Sequence, residues 1–223
     1  MTAILPGAPA DQSGAPAYTP DQLASALSLN GKTMDRLKRF DQLLVDTNKV
    51  HNLVARSTIE ARWFRHFLDS AQLFSFLRDE DEMILDMGAG AGFPGLVLAA
   101  MSAPDRQFIL VESIAKKARF LHKAKAAMCL SNVTVETARV EGLTTLPLID
   151  VIMARALAPL TQLLAYAEPL CAGHTRLVFP KGARLEEELT EARKAWHIQC
   201  FDAVSMTSDD ARILIIDQMR RAR

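Results

Sequence analysis

The sequence predicts an α/β fold in which helices cover a mainly parallel, seven-stranded sheet. From about residue 83 onward, short apolar runs alternate with helical patterns, and this alternation is typical of a parallel sheet covered on both faces. The apolar run that ends at Met87 also leads into the glycine-rich segment 88–95, as the first strand of a doubly wound sheet does. With 223 residues, the chain has the length of one such domain and an appendage.

A helical cap is predicted in front of the first strand. Thr19 and Gln22 have the spacing of a capping box, so a helix is expected to begin there. Apolar residues at helical spacing predict a second helix over 33–48, and a third helix is predicted to begin at Ser57. These helices together form the appendage.

Strands and helices then alternate along the rest of the chain. The last two strands have no helical pattern between them, so this final pair is expected to be antiparallel. We place strands near 83–87, 107–112, 132–136, 149–154, 174–179, 198–204 and 211–217, and helices near 94–102, 115–129, 159–169 and 183–195.

The predicted organisation has three parts. Residues 1–17 are rich in alanine, proline and glycine and are expected to be a disordered arm. Residues 18–78 form the helical cap, and residues 79–223 form the sheet domain, which is expected to be one compact unit with the cap.

The segment after the first strand is predicted to hold a nucleotide-like cofactor. Residues 90–95 match the dinucleotide pattern G-x-G-x-x-G, whereas Asp86 with Gly88, Gly90 and Gly92 matches the first motif of S-adenosylmethionine (SAM) methyltransferases. A pyrophosphate is anionic and is bound by N–H groups, but SAM carries an ammonium and a sulfonium that a carboxylate would favour. Asp86 either supplies that carboxylate or caps the loop by accepting backbone hydrogen bonds.

Two further segments are candidates for the same cofactor site. Glu112 ends the second strand about twenty residues after the glycines, where an acidic residue binds a ribose diol in such folds. After the third strand, Val140 and Glu141 lie in a segment that either frames an adenine ring or is an ordinary surface turn.

Composition excludes several classes of protein. A formal net charge of +0 with 49% hydrophobic residues excludes a disordered or fibrous chain and gives no overall attraction to nucleic acid. No run of apolar residues reaches spanning length, and no signal peptide is evident, so a cytoplasmic protein is expected. The cysteines and histidines lack metal-ligand spacing, so reduced thiols and no metal are expected. The sequence leaves the oligomeric state open, with a monomer as the default.

Basic residues concentrate in two segments. The helix after the second strand carries a basic set with no acid beside it, which is either a solvated face or a track for an RNA backbone. Arg65 and His66 in the cap are candidates for the same groove. His66 is alternatively a satisfied helix histidine, and Asp69 a partner of Arg65 one turn away. The basic set is Lys116, Lys117, Arg119, Lys123 and Lys125.

Several short blocks, in the same order along the chain, resemble one family. The chain is similar to the bacterial 16S ribosomal RNA guanine-N7 methyltransferases, also called glucose-inhibited division protein B, over most of its length beyond about residue 35. The most specific blocks are Arg65-His66-Phe67-Leu68-Asp69-Ser70 and the Gly92-Phe93-Pro94-Gly95 end of the glycine loop. The others are Asn52-Leu53, Lys117-Ala118-Arg119-Phe120-Leu121, Arg139-Val140-Glu141 and Arg155-Ala156.

The resemblance implies a Rossmann-like class I SAM methyltransferase that methylates guanine N7 in the 530 loop of 16S ribosomal RNA. It implies the RNA or the small ribosomal subunit as partner and SAM as cofactor. Lys181, in the segment where the family has a Lys-Gly pair, joins Arg65, His66 and the basic helix as a predicted RNA contact. The cofactor positions that carry over are Gly88, Phe93, Val140, Glu141 and Arg155, to which the glycine pattern adds Gly90 and Gly92 and the second strand adds Glu112.

The residues agree with methylation at guanine N7. This atom has an in-plane lone pair and no proton to lose, so a strong general base is unnecessary. The Asn/Asp-Pro-Pro-Tyr/Phe block that accompanies methylation of exocyclic amines is replaced by 154–160, and no Pro-Cys pair is present for attack at pyrimidine C5. Arg155 is predicted to orient the cofactor carboxylate or the guanine, with a structural ion pair as the alternative.

Two other functions remain open at this level. A SAM enzyme for small molecules would have no salt-sensitive affinity for RNA. A non-catalytic RNA-binding module of the same fold would bind RNA without SAM, and the intact glycine loop argues against it. A nicotinamide-linked oxidoreductase is a more distant possibility. A binding assay with NAD and with SAM distinguishes it from a methyltransferase.

Overall fold

A computed structural model describes residues 18–143 and 146–222 of the chain. The predicted arm, residues 1–17, lies outside the described residues. A seven-stranded sheet with the order β3-β2-β1-β4-β5-β7-β6 forms the centre, which confirms the predicted fold class. The strands are β1 (Met83–Met87), β2 (Gln107–Val111), β3 (Val133–Glu136), β4 (Val151–Met153), β5 (Arg176–Lys181), β6 (Trp196–Ser205) and β7 (Ser208–Arg221).

The topology brings two loops to one edge of the sheet. Strands β1 to β5 are parallel, and β7 runs antiparallel to both β5 and β6, as predicted for the final pair. The strand order reverses between β1 and β4, and Asp86 lies opposite Met153 in that pairing. The loops that leave these two strands are therefore neighbours at a topological switch point, where ligands bind in open α/β sheets.

The cap begins as the sequence predicts. Thr19 forms a complete capping box with Gln22 at the start of α1 (Pro20–Ala26). The side chain of Asn30 caps α2 (Gly31–Asn48), which begins two residues before the predicted start.

The predicted third helix from Ser57 is wrong in detail. The chain instead forms a 3₁₀ turn (Arg56–Thr58), a π-helix (Trp63–Leu68), the short α3 (Asp69–Ala71) and another 3₁₀ turn (Gln72–Phe76). The hydroxyl of Thr58 donates to the carbonyl of Ala55 at 2.9 Å, and such local bonds compete with a continuous helix.

The remaining helices cover the two faces of the sheet. They are α4 (Gly95–Met101), α5 (Ala115–Ala127), α6 (Leu160–Ala167) and α7 (Leu185–Ala192), close to the predicted positions. One hydrophobic cluster lies under α6 and α7, and the other unites the cap with α4 and α5.

An aromatic group joins the cap to the glycine loop. The ring of Phe93, from the loop, lies 5.0 Å from Phe40 of α2 and 5.3 Å from Phe67 of the π-helix, measured between centroids. Trp63 stacks on Phe67 at 4.2 Å between ring centroids, and both residues are buried in the core. The cap therefore shares its core with the loop that follows β1.

Candidate functional site

The glycine loop has a backbone that side chains would disturb. Gly88, Gly90 and Gly92 have positive φ angles of +70°, +57° and +94°, in the region that favours glycine. A Cβ at Gly88 would stand 2.6 Å from the side chain of Leu157, whereas at Gly90 the nearest atom would be 3.7 Å away. The loop thus leaves open space in front of Gly90 that a Cβ would fill, and this fits a cofactor bound against the backbone.

Asp86 anchors the start of the helix that follows the loop. Its Oδ2 accepts a hydrogen bond from the backbone N–H of Gly95 at 2.9 Å, which is the capping role that the sequence left as an alternative. Burial raises the pKa of this carboxyl to about 7, although the Gly95 hydrogen bond and the charge of Arg155 act to lower it. Among the described residues, Oδ1 has no hydrogen-bond partner. A buried acceptor therefore remains for the cationic part of a ligand such as SAM.

Glu112 is tied to the same loop. Its Oε2 accepts from the N–H of Gly90 at 2.9 Å and its Oε1 from the N–H of Ile114 at 2.7 Å. Each carboxylate oxygen keeps a second lone pair for a ligand hydroxyl. Val140 and Glu141 lie in a 3₁₀ turn after β3, with the side chain of Val140 buried and that of Glu141 exposed. All three residues follow neighbouring strands at the carboxyl edge of the sheet.

The ring of Phe93, a predicted cofactor position, is buried. Only 3% of the residue is exposed, because its ring is packed among Phe40, Phe67 and His66. The side chain therefore belongs to the core, and Phe93 as a cofactor position stays a prediction.

A cavity of about 850 Å³ opens beside the glycine loop. It is lined by Leu157, whose side chain also covers Gly88. Segments that are distant in sequence meet there: the π-helix with the adjoining α3, the loop after β4, the end of β5 with the loop that follows it, and the turn between β6 and β7. Their polar lining residues include Arg65, Asp69, Arg155, Lys181 and Thr207.

Arg155 is held at the junction of the loop and the cavity. Its Nη1 donates to Asp69 Oδ2 at 3.2 Å, to the carbonyl of Arg65 at 3.3 Å and to His66 Nδ1 at 3.3 Å. Its guanidinium carbon lies 5.3 Å from the centre of the Phe93 ring. The predicted pairing of Asp69 with Arg65 is wrong, since Asp69 forms its ion pair with Arg155. Arg155 thus has both the structural ion pair and a place in the cavity lining.

His66 is a buried, neutral residue with both ring nitrogens bonded, as in the alternative of a satisfied helix histidine that the sequence left open. Burial, with help from the charges of Arg155 and Arg65, lowers its pKa to about 3. Thr58 Oγ1 lies 2.9 Å from His66 Nε2 and gives its own proton to Ala55, so Nε2 must carry the ring proton. Nδ1 is then the lone pair that accepts from Arg155.

Lys181 also requires a correction. Its ammonium lies 2.5 Å from Glu188 Oε2, and its side chain is only 8% exposed. The same carboxylate oxygen accepts the N–H of Leu160 at 2.7 Å, at the start of α6. Lys181 therefore neutralises a buried helix cap and is not a free contact for an RNA phosphate.

The basic set on α5 faces outward. The buried side chains of this helix are Ala118, Phe120, Leu121 and Ala124, whereas Lys116, Arg119 and Lys123 are exposed and Lys117 and Lys125 are partly exposed. In the described ranges, none of these cations makes a salt bridge, so they are accessible to an anionic partner.

Sequence reasoning missed the connections made by Asp69. Its Oδ1 accepts from Thr207 Oγ1 at 2.8 Å and from Gln72 Nε2 at 3.1 Å, and Gln72 in turn binds Ser205 and Met206 of the β6–β7 turn. The one available signal was the block 65–70, which contains Asp69 but does not indicate its partner 138 positions later.

Metal clusters and membrane-spanning helices are both absent from the described residues. Over 18–143 and 146–222, no cluster of three or more His, Cys, Asp or Glu residues is placed to hold a metal ion. No helix in the same part of the chain is long and apolar enough to cross a membrane.

Solved structures of methyltransferases have the same fold. An O-methyltransferase from Bacillus cereus, solved in complex with SAH, matches with a TM-score of 0.60 over 89% of this chain and 96% of that chain, at 14% sequence identity. At this identity the likeness concerns the fold alone.

Sequence comparisons identify the family. The model of GidB, rRNA small subunit methyltransferase G, matches residues 33–215. Ribosomal RNA small subunit methyltransferase G of Cereibacter sphaeroides is 42% identical over 89% of this chain and 96% of its own length. The protein of the same name from Rhodospirillum rubrum is 37% identical over 92% of this chain and its full length. The chain therefore belongs to the GidB family of rRNA small subunit methyltransferase G.

Proposed function

We propose that this protein is a SAM-dependent methyltransferase that acts on guanine N7 in the 530 loop of 16S ribosomal RNA. The observation that carries the proposal is the cavity beside the glycine loop, in a chain that belongs to the GidB family. The cofactor loop and the cavity meet at Leu157 and Arg155, so a donor and an acceptor of the methyl group have adjoining places.

The cofactor side is built mainly from backbone. Bound SAM supplies an electrophilic methyl group on a sulfonium. The open face of Gly90 would receive the ligand, and Glu112, which fixes the position of that glycine, would accept hydrogen bonds from the ribose hydroxyls. Gly88, Gly92, Val140 and Glu141 complete the proposed cofactor residues.

Guanine N7 needs no base, and the histidine that lines the cavity offers none. His66 is neutral with one ring nitrogen bonded to Thr58 and the other to Arg155, so it has no free lone pair for proton transfer. Within the described chain, no cysteine lines the cavity, although attack at pyrimidine C5 would need one. Orientation of the reacting atoms is then the main contribution of the protein.

Arg155 is the residue that we propose to orient the substrate. All three of its side-chain hydrogen bonds within the described chain come from Nη1, which leaves Nε and Nη2 for a ligand. The methyl transfer moves positive charge onto the purine ring, and the carboxylates of Glu187 and Glu191 line the same cavity. Their negative charge favours that movement.

The RNA partner is proposed to follow the exposed face of α5. Lys116, Arg119 and Lys123 are spaced to lie along one side of this helix, with Lys117 at its margin and Arg65 at the cavity. A small-molecule methyltransferase would not need this surface. The three cysteines are free, which agrees with the reducing cytoplasm that we propose as the compartment. A monomer stays a prediction.

Mass spectrometry of ribosomal RNA tests the proposal. Small-subunit RNA from cells that lack this protein should have lost one 7-methylguanosine in the 530 loop, and the wild-type gene should restore it. A gene that carries Gly90→Val should restore nothing, since the cofactor space is filled. An unchanged set of methylguanosines in the deletion strain would refute the proposal.

A further inference from the structure

A chain of hydrogen bonds crosses the cavity from the β6–β7 turn to Arg155. Thr207 Oγ1 donates to Asp69 Oδ1 at 2.8 Å, and Arg155 Nη1 donates to Asp69 Oδ2 at 3.2 Å. Thr207, Asp69 and Arg155 all line the cavity. The side chains of Asp69 and Arg155 are 17% and 19% exposed, so both are shielded enough for the geometry to be fixed.

Asp69 itself is immobilised by a buried amide. Gln72 Nε2 donates to Asp69 Oδ1 and to Ser205 Oγ, both at 3.1 Å, and Gln72 Oε1 accepts the N–H of Met206 at 2.7 Å. Gln72 is 5% exposed and Ser205 is 6% exposed. The turn and the carboxylate are thus fixed to one another by polar groups that water does not reach.

The backbone beside Arg155 is strained, and this network holds it in place. Ala156 has a φ of +53°, a left-handed conformation that is costly for an alanine. Such a conformation persists when its surroundings hold it, and the contacts of Arg155 Nη1 with Asp69, His66 and the Arg65 carbonyl are the neighbouring constraints.

We propose that Asp69 is a positioning residue for methyl transfer. It draws Nη1 of Arg155 toward the cap, so that Nε and Nη2 keep one direction toward the substrate, and Thr207 holds Asp69 in place from the β6–β7 turn. This inference rests on the proposed function, because it assigns to Arg155 the orientation of the substrate. Asp69 touches neither the methyl donor nor the reacting atom in this role.

A double-mutant cycle tests the inference. Asp69→Asn and Arg155→Gln are made singly and together, and kcat is measured at saturating SAM and small-subunit RNA. If Asp69 acts through Arg155, Asp69→Asn should lower kcat at least tenfold in the wild-type background and less than twofold when Arg155→Gln is present. SAM affinity, measured by calorimetry, should change less than threefold in the Asp69→Asn variant.

Two further variants separate positioning from stability. Asp81 and Arg176 form another shielded ion pair, and neither residue lines the cavity. Asp81→Asn, which breaks this pair, should lower the melting temperature. At temperatures where the variant is folded, its kcat should equal that of the wild-type protein. Thr207→Val should lower kcat severalfold and Thr207→Ser should restore it, because only the serine keeps the hydroxyl. If Asp69→Asn fails to fold, the comparison of Thr207→Val with Thr207→Ser still tests the positioning role.

The outcomes distinguish this inference from the proposed function. Additive effects of Asp69→Asn and Arg155→Gln, or equal activity of the two Thr207 variants, would overturn the positioning role while the wild-type activity stands. A wild-type protein that transfers no methyl group to the RNA would overturn the proposed function, and the positioning role with it.

Discussion

The two halves of the site are built in different ways. The cofactor half is centred on one continuous loop, and its backbone is held by Asp86 and Glu112, each close to the end of its own strand. The cavity half is assembled from the π-helix, the loop after β4 and the β6–β7 turn, through contacts such as Asp69 with Thr207. The cofactor half therefore depends on local sequence, whereas the cavity half depends on packing between distant segments.

The largest expected effect breaks the cofactor half alone. Gly90→Val should reduce SAM binding more than a hundredfold, because the new side chain enters the open cofactor space and the residue has a φ of +57°. Calorimetry measures the affinity. Gly173→Val is the matched control, since a Cβ there meets nothing within 4 Å and its backbone needs no positive φ. Full SAM affinity in Gly90→Val would place the cofactor elsewhere.

The two halves should also respond oppositely to pH. The folded-state pKa of His66 is lowered to about 3, so its contribution to stability is present at neutral pH and is lost as pH falls from about 6.5 toward 3. The folded-state pKa of Asp86 is raised to about 7, so its contribution is present below about pH 4 and is lost as pH rises toward 7.

Urea unfolding of His66→Gln and Asp86→Asn between pH 4 and 8 measures this difference. The loss of stability caused by His66→Gln should shrink as pH falls, by an amount on the order of a few kcal/mol. The loss caused by Asp86→Asn should shrink as pH rises, since the wild-type protein then carries a buried charge. Two curves that run parallel to the wild-type curve would show that neither group is perturbed.

How much of each half could be predicted follows from this comparison. The glycine loop, the positions of the strands and the antiparallel final pair were predicted because each depends on a pattern within a short stretch of sequence. For His66 the sequence left two alternatives open, because its burial requires Phe93 and the strand end that carries Arg155 to pack against the cap. Lys181 was misassigned for the same reason, because its partner Glu188 comes from a different helix.

A smaller effect is expected at the ribose end of the cofactor half. Glu112→Ala should weaken SAM binding by about 1.5–3 kcal/mol, the range for hydrogen bonds to a charged group. It also releases the N–H groups of Gly90 and Ile114. Calorimetry measures the loss, with Glu82→Ala at the opposite end of the sheet as the control. A loss in turnover with intact SAM affinity would remove Glu112 from the cofactor site.

The smallest expected effect concerns the exposed basic face of α5. Neutralising Lys116, Arg119 and Lys123 together should flatten the logarithmic salt dependence of RNA binding by about 0.7–0.9 for each lost phosphate contact. SAM affinity should not change. The control neutralises two exposed lysines outside α5, Lys49 and Lys194, each of which is paired with an acidic residue of its own segment. This control should leave the slope of the salt dependence unchanged. An unchanged slope in the triple variant would show that the basic face of α5 is an ordinary solvated surface that does not contact RNA.

The central claim is that both halves meet at one atom, N7 of a guanine, and a single substitution in the RNA tests it most directly. Small-subunit RNA that carries 7-deazaguanine at the target keeps the Watson–Crick edge and lacks the reacting lone pair. The protein should bind this RNA as tightly as the natural one and transfer no labelled methyl group from SAM to it. Methyl incorporation into the 7-deazaguanine RNA would show that another atom is attacked and would contradict the account.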